Sequence, residues 1–426
     1  MHYWIEGGFP LRGNVKCQGA KNSAVQLLAA SLLTRELVIL ENVPAIEDIV
    51  SMIDLLRSLG SQVEFDQKRH RVCIENAGPI HPHIQNPQAS ALRASLSLVG
   101  PLLAREGETS IPFPGGCNIG SRPIDLHLKG FGALGADALL EHGRIMAKAR
   151  SLQGKRIYLD YPSVGATANL MMASSLARGE TILENAAEEP EIVDLANMLK
   201  KMGAKIRGAG TKMLQIRGVQ WLKGVRHHVI PDRIEGGTYL VAAAITRGKL
   251  SLQDSIPQHL EPLLVKLQEA GATIDVNGNK VKVFVSGRLR AFDIKTMPYP
   301  GFPTDLQNQM TILMTLAEGT SLVTETVFEN RFLLTSELRK MGADIRTEGH
   351  GAVITGVDHL TGARVTAPNL RGGASLVLAA LSAQGVSEVH DIQHIDRGYE
   401  KMEEKLEQVG AKIQRIELKG SKDANP

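Results

Sequence analysis

Six stretches of the chain are apolar at nearly every position, and each runs into a polar turn and a short strand-like segment. They read AVQLLAASLLTRELVILENV, LRASLSLVGPLLAREGETSI, ANLMMASSLARGETILENAA, TYLVAAAITRGKLSLQDSI, NQMTILMTLAEGTSLVTETV and ASLVLAALSAQGVSEVHDI. A helix that is apolar all round belongs inside a core, so the pattern predicts six buried helices, each followed by a strand. A second phrase alternates with the first: LRSLGSQVEF, FGALGADALL, LKKMGAKIRG, LQEAGATIDV, LRKMGADIRT and LEQVGAKIQR. Here the pattern is that of an amphipathic helix stopped by a C-cap glycine, with a strand after it. The stopping glycines are Gly60, Gly135, Gly203, Gly271, Gly342 and Gly410. The 426 residues are therefore six copies of one α+β unit of about 71 residues.

Six such units exceed what one core holds, which predicts two globes of three units each. No low-complexity linker separates them, and the chain is expected to cross near residues 19–22 and again near 229–233. Composition narrows the ligand classes. Hydrophobic residues make up 43% but aromatics only 4%, so the cores are packed with aliphatic side chains. A net charge of +3 without a Lys/Arg-rich block argues against a broad nucleic-acid face. Any anionic ligand is then a small one, met by a few placed cations. Cys17, Cys73 and Cys117 lack the spacings of a zinc site or a disulfide frame. Residues 1–20 carry no signal-peptide pattern, and no apolar run reaches bilayer length. A reducing, cytoplasmic location is expected.

Candidate chemistry gathers at the starts of the apolar helices. Residues 112–128, PFPGGCNIGSRPIDLHL, put Cys117 in a glycine-rich loop five residues before Arg122. A thiol beside a fixed cation has a lowered pKa, whereas an isolated GGC is more often a turn with an inert thiol. Lys21 and Asn22 fall on a first helical turn, where exposed N–H groups favour an anion. Arg93 opens a helix expected from Ala94, and Ser163, Val164 and Gly165 precede one expected from Ala168. Asp305 stands ahead of the helix around residues 310–316. That is a capping position first, and a proton acceptor only if a cleft holds it near a substrate hydroxyl. Arg331, Arg371 and Arg397 occur at corresponding joints of the repeat, so pseudo-symmetry would converge them on an anion.

Taken together, these segments resemble the UDP-N-acetylglucosamine 1-carboxyvinyltransferases, a family of enolpyruvyl transferases. The matching runs are GAKNSA (19–24), GGCNIGSRPIDLHL (115–128), PSVGAT (162–167), PDRIEGGTYLVAAA (231–244), FPTD (302–305), ETVFENRF (325–332), LRGGASLVLA (370–379) and HIDRGYEK (394–401). The sister enzyme acting on shikimate 3-phosphate shares the fold, but its GSKS-type N-terminal motif is absent. The resemblance implies an α/β (α+β) protein of two inverse α/β barrel domains, each of three repeated units with buried helices and outer sheets. Residues 1–21 and 231–426 would form one domain, and residues 22–230 an inserted one carrying the Cys117 lid loop. It further implies transfer of the enolpyruvyl group of phosphoenolpyruvate to the 3-hydroxyl of UDP-N-acetylglucosamine, through a tetrahedral ketal, with release of phosphate. Cys117 would be the general acid and Asp305 the base. Lys21, Arg122 and Arg397 would bind phosphoenolpyruvate, with Asn22 and Arg371 nearby. Arg93, Arg122, Pro123, Ile124, Asp125, Leu126, Ser163, Val164, Gly165 and the Val327 backbone would hold the nucleotide sugar. Arg331 joins the substrate-binding set. No cofactor or metal is implied, and the two small molecules are the only partners: no nucleic acid, no membrane and no obligate protein.

Overall fold

The structure, a computed structural model of the chain, describes residues 1–85, 92–113, 115, 120 and 124–417. Each apolar stretch overlaps one α-helix: Lys21–Ala30, Val99–Glu106, Val164–Ser174, Arg233–Ile245, Gln307–Thr315 and Leu370–Ser382. Five are buried along almost their whole length, and Val99–Glu106 along its first five residues. Ala, Leu, Met and Val dominate their buried positions, and such side chains let helices pack closely. A second series, Glu47–Ser58, Asp125–Ala133, Pro190–Lys201, Glu261–Glu269, Thr335–Lys340 and Met402–Glu407, follows the strands. The six glycines that stop these helices have φ between +90° and +109°, a region that side chains with a Cβ avoid. Pro190–Lys201 is more buried than the amphipathic pattern of its series predicts. It is buried on most faces, because it packs against Lys21–Ala30 beside the chain crossing.

Each unit builds one outer sheet. In four of the six units the strand after a buried helix pairs antiparallel with a hairpin strand and parallel with an edge strand, as Glu180–Glu184 does with Met213–Arg217 and Arg156–Tyr158. Among the described residues, five sheets have four strands and one has three. Distant segments complete three of them. His2–Glu6 lies between Val386–His390 and Lys412–Ile416, closing the last unit with the start of the chain. Arg12–Lys16 edges the Lys249–Gln253 sheet, and Val225–His228 edges the Val38–Glu41 sheet.

Two hydrophobic cores result. One draws on residues from Ala20 to Val229; the other joins Tyr3–Cys17 positions to those from Ile234 to Ile413. The two crossing segments run side by side. Ala20 N–H donates to the Ile230 carbonyl at 2.7 Å, and Asp232 N–H to the Gln18 carbonyl at 2.8 Å. Asp232 also caps Arg233–Ile245, accepting from Ile234 and Glu235 N–H, and its other oxygen accepts from Lys21 N–H at 3.0 Å. Gly19 fits here only without a side chain: a Cβ would lie 1.7 Å from the Asn42 carbonyl oxygen. Gly19→Ala is expected to cost about 3 kcal/mol, since backbone cannot step aside. A thermal midpoint lower by roughly 6–10 °C would register it. Gly132→Ala, on an exposed helical site with nothing within 4 Å, is the control and should not destabilise.

Candidate active site

Between the two cores lies a cleft of about 720 Å³, in the size range of small-molecule sites. Its walls carry chemistry from both sides. Lys21 and Asn22, at the start of Lys21–Ala30, come from the first core; Asp305, Arg331, Arg371 and Arg397 come from the second.

Two carboxylates organise the cations. Asp48, 5% exposed in the first turn of Glu47–Ser58, accepts from Lys21 Nζ at 2.7 Å and from Arg397 Nε at 2.9 Å. It therefore ties a cation of one core to a cation of the other. Burial by itself raises the Asp48 pKa; Lys21 and Arg397 outweigh it and hold the carboxyl below its ordinary value. Asp305 lies in a single 3-10 turn, Thr304–Leu306, and accepts from Arg331 Nη2 at 2.6 Å and Arg371 Nη2 at 3.0 Å. Burial again works to raise its pKa, and again the guanidinium groups of Arg371 and Arg331 prevail, holding it far below the carboxylate range. Among the described residues, Arg371, 4% exposed, has no hydrogen-bond partner at Nε or Nη1, and its guanidinium faces the Tyr399 ring at 5.5 Å. Buried donors left unpaired are costly, and a bound anion would satisfy them.

The other end of the cleft is shaped for a longer ligand. Ser163 caps Val164–Ser174, its hydroxyl accepting from Ala166 N–H at 3.3 Å, so the helix begins four residues earlier than expected. The first-turn N–H groups of Val164 and Gly165 have no partner within that helix, an arrangement suited to phosphate. Arg93 lines the same wall and sits 6.0 Å from the Phe113 ring; the 3-10 turn Arg93–Leu98 precedes its α-helix, which starts at Val99, two residues before Pro101. Asp125 and Leu126 line the cleft as well.

The comparisons with known proteins bear on this arrangement. A family model described as EPSP synthase (3-phosphoshikimate 1-carboxyvinyltransferase) matches residues 5–406. A relative from Caldanaerobacter subterraneus subsp. tengcongensis, named UDP-N-acetylglucosamine 1-carboxyvinyltransferase 1, is 53% identical over 96% of this chain and 98% of its own. One from Carboxydothermus hydrogenoformans, named UDP-N-acetylglucosamine 1-carboxyvinyltransferase 2, is 55% identical over 97% and 98%. The chain belongs to the UDP-N-acetylglucosamine 1-carboxyvinyltransferase family of enolpyruvyl transferases. Among solved structures, the enolpyruvyl transferase NikO from Streptomyces tendae superposes with a TM-score of 0.87 at 25% identity, covering 97% of this chain and 98% of that one. EPSP synthase from Acinetobacter baumannii, at 18% identity and a TM-score of 0.72 over 97% and 99%, shares the fold.

Within this family member, several residues stand differently from their sequence reading. Asp305 caps no helix: the side chain turns into the cleft because two buried arginines claim it. Lys21, expected beside a bound anion, has the Asp48 carboxylate as its partner in the protein itself. Val327 lines the cleft, but its N–H is committed to Glu325 Oε1 at 2.8 Å. Ile124 is buried ahead of Asp125–Ala133 and does not line the cleft. Cys117, Arg122 and Pro123 lie outside the described residues; Gly120, from the same loop, packs against Glu329.

Sequence reasoning missed Asp48, which reads as an ordinary acid in a first turn, and His127. His127 is buried on the cleft wall, with Nδ1 3.3 Å from Asn169 Nδ2; that amide also donates to Leu96 O, which assigns the ring proton to Nε2. Burial, reinforced by the charge of Arg93, pushes His127 down to about 3 from its ordinary 6.5. The ring is thus neutral in the fold at any ordinary pH. Below pH 6.5 the unfolded chain takes up a proton there that the folded one refuses, so stability falls with pH down to about 3. His127→Asn is expected to remove that slope, worth roughly 2 kcal/mol between pH 6.5 and 5. Urea midpoints of both proteins at the two pH values measure it.

Proposed function

We propose that this chain transfers the enolpyruvyl group of phosphoenolpyruvate to the 3-hydroxyl of UDP-N-acetylglucosamine, releasing phosphate, at the entry to peptidoglycan synthesis. The observation that carries the reading is Asp305, held in a cleft by Arg331 and by an Arg371 with two donors unpaired among the described residues, in the same cleft as Lys21 and Arg397. A phosphate and a carboxylate on one small substrate need several fixed cations, and this cleft provides them from both cores.

In the addition step the sugar hydroxyl oxygen bonds to C2 of phosphoenolpyruvate, its proton passes to Asp305, and C3 gains a proton from Cys117. In the elimination step C3 returns a proton to the Cys117 thiolate, the C2–O bond to phosphate breaks, and the proton taken up by Asp305 leaves with the phosphate, which restores both groups. An anion engaging Arg371 weakens the field that depresses Asp305, so substrate binding itself strengthens the base. The nucleotide diphosphate is assigned to Arg93, Arg122 and the N–H groups at Ser163, Val164 and Gly165, with Pro123, Asp125, Leu126 and the Val327 backbone around the rest; Ile124, buried behind the wall, supports it from outside the cleft. The two halves, one built on the core from Ala20 to Val229 and the other on the core joining Tyr3–Cys17 to Ile234–Ile413, act as two domains that close on the nucleotide sugar; Lys21, expected with 231–426, opens the first helix of the other half. A cytoplasmic setting suits these substrates; among the described residues no helix is long and apolar enough to cross a membrane, and Cys17 and Cys73 are free thiols.

The test is phosphate release from both substrates together. Tight nucleotide-sugar binding without phosphate release would sink the reading in favour of a binding protein. Cys117→Ala is expected to abolish turnover and to abolish thioether-forming inactivation by fosfomycin; inactivation that persists in the variant would refute the cysteine assignment.

A further inference from the structure

Glu325 is 1% exposed and, among the described residues, no lysine or arginine pairs with it. Its charge is met by four neutral donors instead. Oε1 accepts from Thr296 Oγ1 at 2.8 Å, Val327 N–H at 2.8 Å and Phe328 N–H at 3.2 Å. Oε2 accepts from Thr304 Oγ1 at 2.9 Å. An apolar side chain would cost less to bury, whereas a carboxylate held by four placed donors fixes the position of each of them.

The direction of these bonds has a consequence for the cleft. An ionised carboxylate only accepts, so the Thr304 hydroxyl must donate to Glu325, and its lone pair is aimed at Arg331. Arg331 Nε donates to that oxygen at 3.1 Å, and Arg331 Nη2 donates to Asp305 Oδ1 at 2.6 Å. The guanidinium also lies 4.9 Å from the ring of Phe328, whose N–H Glu325 holds. Glu325 thus fixes Arg331 from both sides, and through Arg331 it fixes Asp305. By Oε1 it sets the turn that carries Val327.

We infer that Glu325 is a positioning residue that aligns Asp305 for proton transfer and at the same time shapes the Val327 turn on the nucleotide side. The inference rests on the reaction proposed above. Glutamine at 325 has one accepting oxygen. With that oxygen on the Val327–Phe328 N–H groups, its amide faces Thr304 as a donor, so the Thr304 hydroxyl loses the acceptor that oriented its proton and must share its lone pairs between the amide and Arg331, which loosens its hold on Arg331.

Three variants separate the arms. Glu325→Gln is expected to lower kcat 10- to 100-fold and to raise KM for the nucleotide sugar several-fold. Thr304→Val, which breaks only the Arg331 arm, is expected to show the kcat loss with KM for the nucleotide sugar unchanged. Thr304→Ser keeps the hydroxyl and should recover kcat to within about threefold of wild type. Thermal midpoints give the folded fraction, and kcat per folded enzyme is compared. Glu325→Gln with kcat within twofold of wild type would overturn the inference, as would equal losses in Thr304→Val and Thr304→Ser. A crystal structure of Glu325→Gln supplies a readout apart from activity: Arg331 Nη2 should move beyond 3.5 Å from Asp305 (the hydrogen-bond limit), and an unmoved pair overturns the inference. If the wild type itself releases no phosphate, the proposed reaction fails, and this distance still decides the role of Glu325.

Discussion

Replacing Asp305 by alanine is expected to lower turnover by about 10³-fold, within the range for loss of a positioned proton acceptor. The effect on nucleotide-sugar affinity should be much smaller, because the groups assigned to the diphosphate are on the far wall. A second effect follows from burial. Arg331 and Arg371 are 2% and 4% exposed, and Asp305 is the carboxylate that both of them bind. Removing one partner of a buried ion pair leaves uncompensated charge and costs about 3 kcal/mol. The variant should therefore melt earlier than wild type and be stabilised more by inorganic phosphate, which can take up the vacated guanidinium donors. Steady-state kinetics and phosphate-dependent melting curves test both parts. An affinity loss at unchanged kcat would make Asp305 a binding residue only. Equal phosphate shifts in both proteins would mean that the arginines do not face the anion site.

The repeat was legible because its signals are local. A C-cap glycine, an all-apolar helix and an alternating strand each occupy a dozen residues, and the six glycines at positive φ answer to that reading one for one. Pairings across the whole chain were not legible. Nothing in His2–Glu6 announces that its partners are Val386–His390 and Lys412–Ile416, since strand register is set by neighbours that only the closed barrel supplies. The site divides in the same way. Lys21, Arg331, Arg371 and Arg397 could be picked out as cations at repeat joints. Asp48 and Glu325 could not, because each looks like a common acid in its own sequence context. Their importance comes from burial and from partners 27 or more residues away for Asp48, and 21 and 29 away for Glu325.

Asp48 yields the sharpest of these consequences, because two effects of removing it oppose one another. In Asp48→Asn a negative charge disappears from the corner where Lys21 and Arg397 meet. Two unit charges about 5 Å apart interact by about 3 kcal/mol at an effective dielectric of 20, so a bound phosphate gains from that loss. Against this, Lys21 and Arg397 lose the group that orients them and that ties one core to the other. Ground-state anion binding needs only the charge, whereas turnover needs the orientation. Asp48→Asn should then bind inorganic phosphate roughly tenfold more tightly while kcat falls by about 10- to 100-fold. Acid adds an independent signature. The folded pKa of Asp48 lies below its ordinary 3.8, so its contribution to stability is present above that pH and is lost as the pH falls through the folded value. The wild type should consequently lose its stability advantage over the asparagine variant below about pH 4. Calorimetric titration with phosphate decides between the two effects: weaker phosphate binding at unchanged kcat would show that Asp48 merely scaffolds the anion site, and that its charge is not what the substrate displaces.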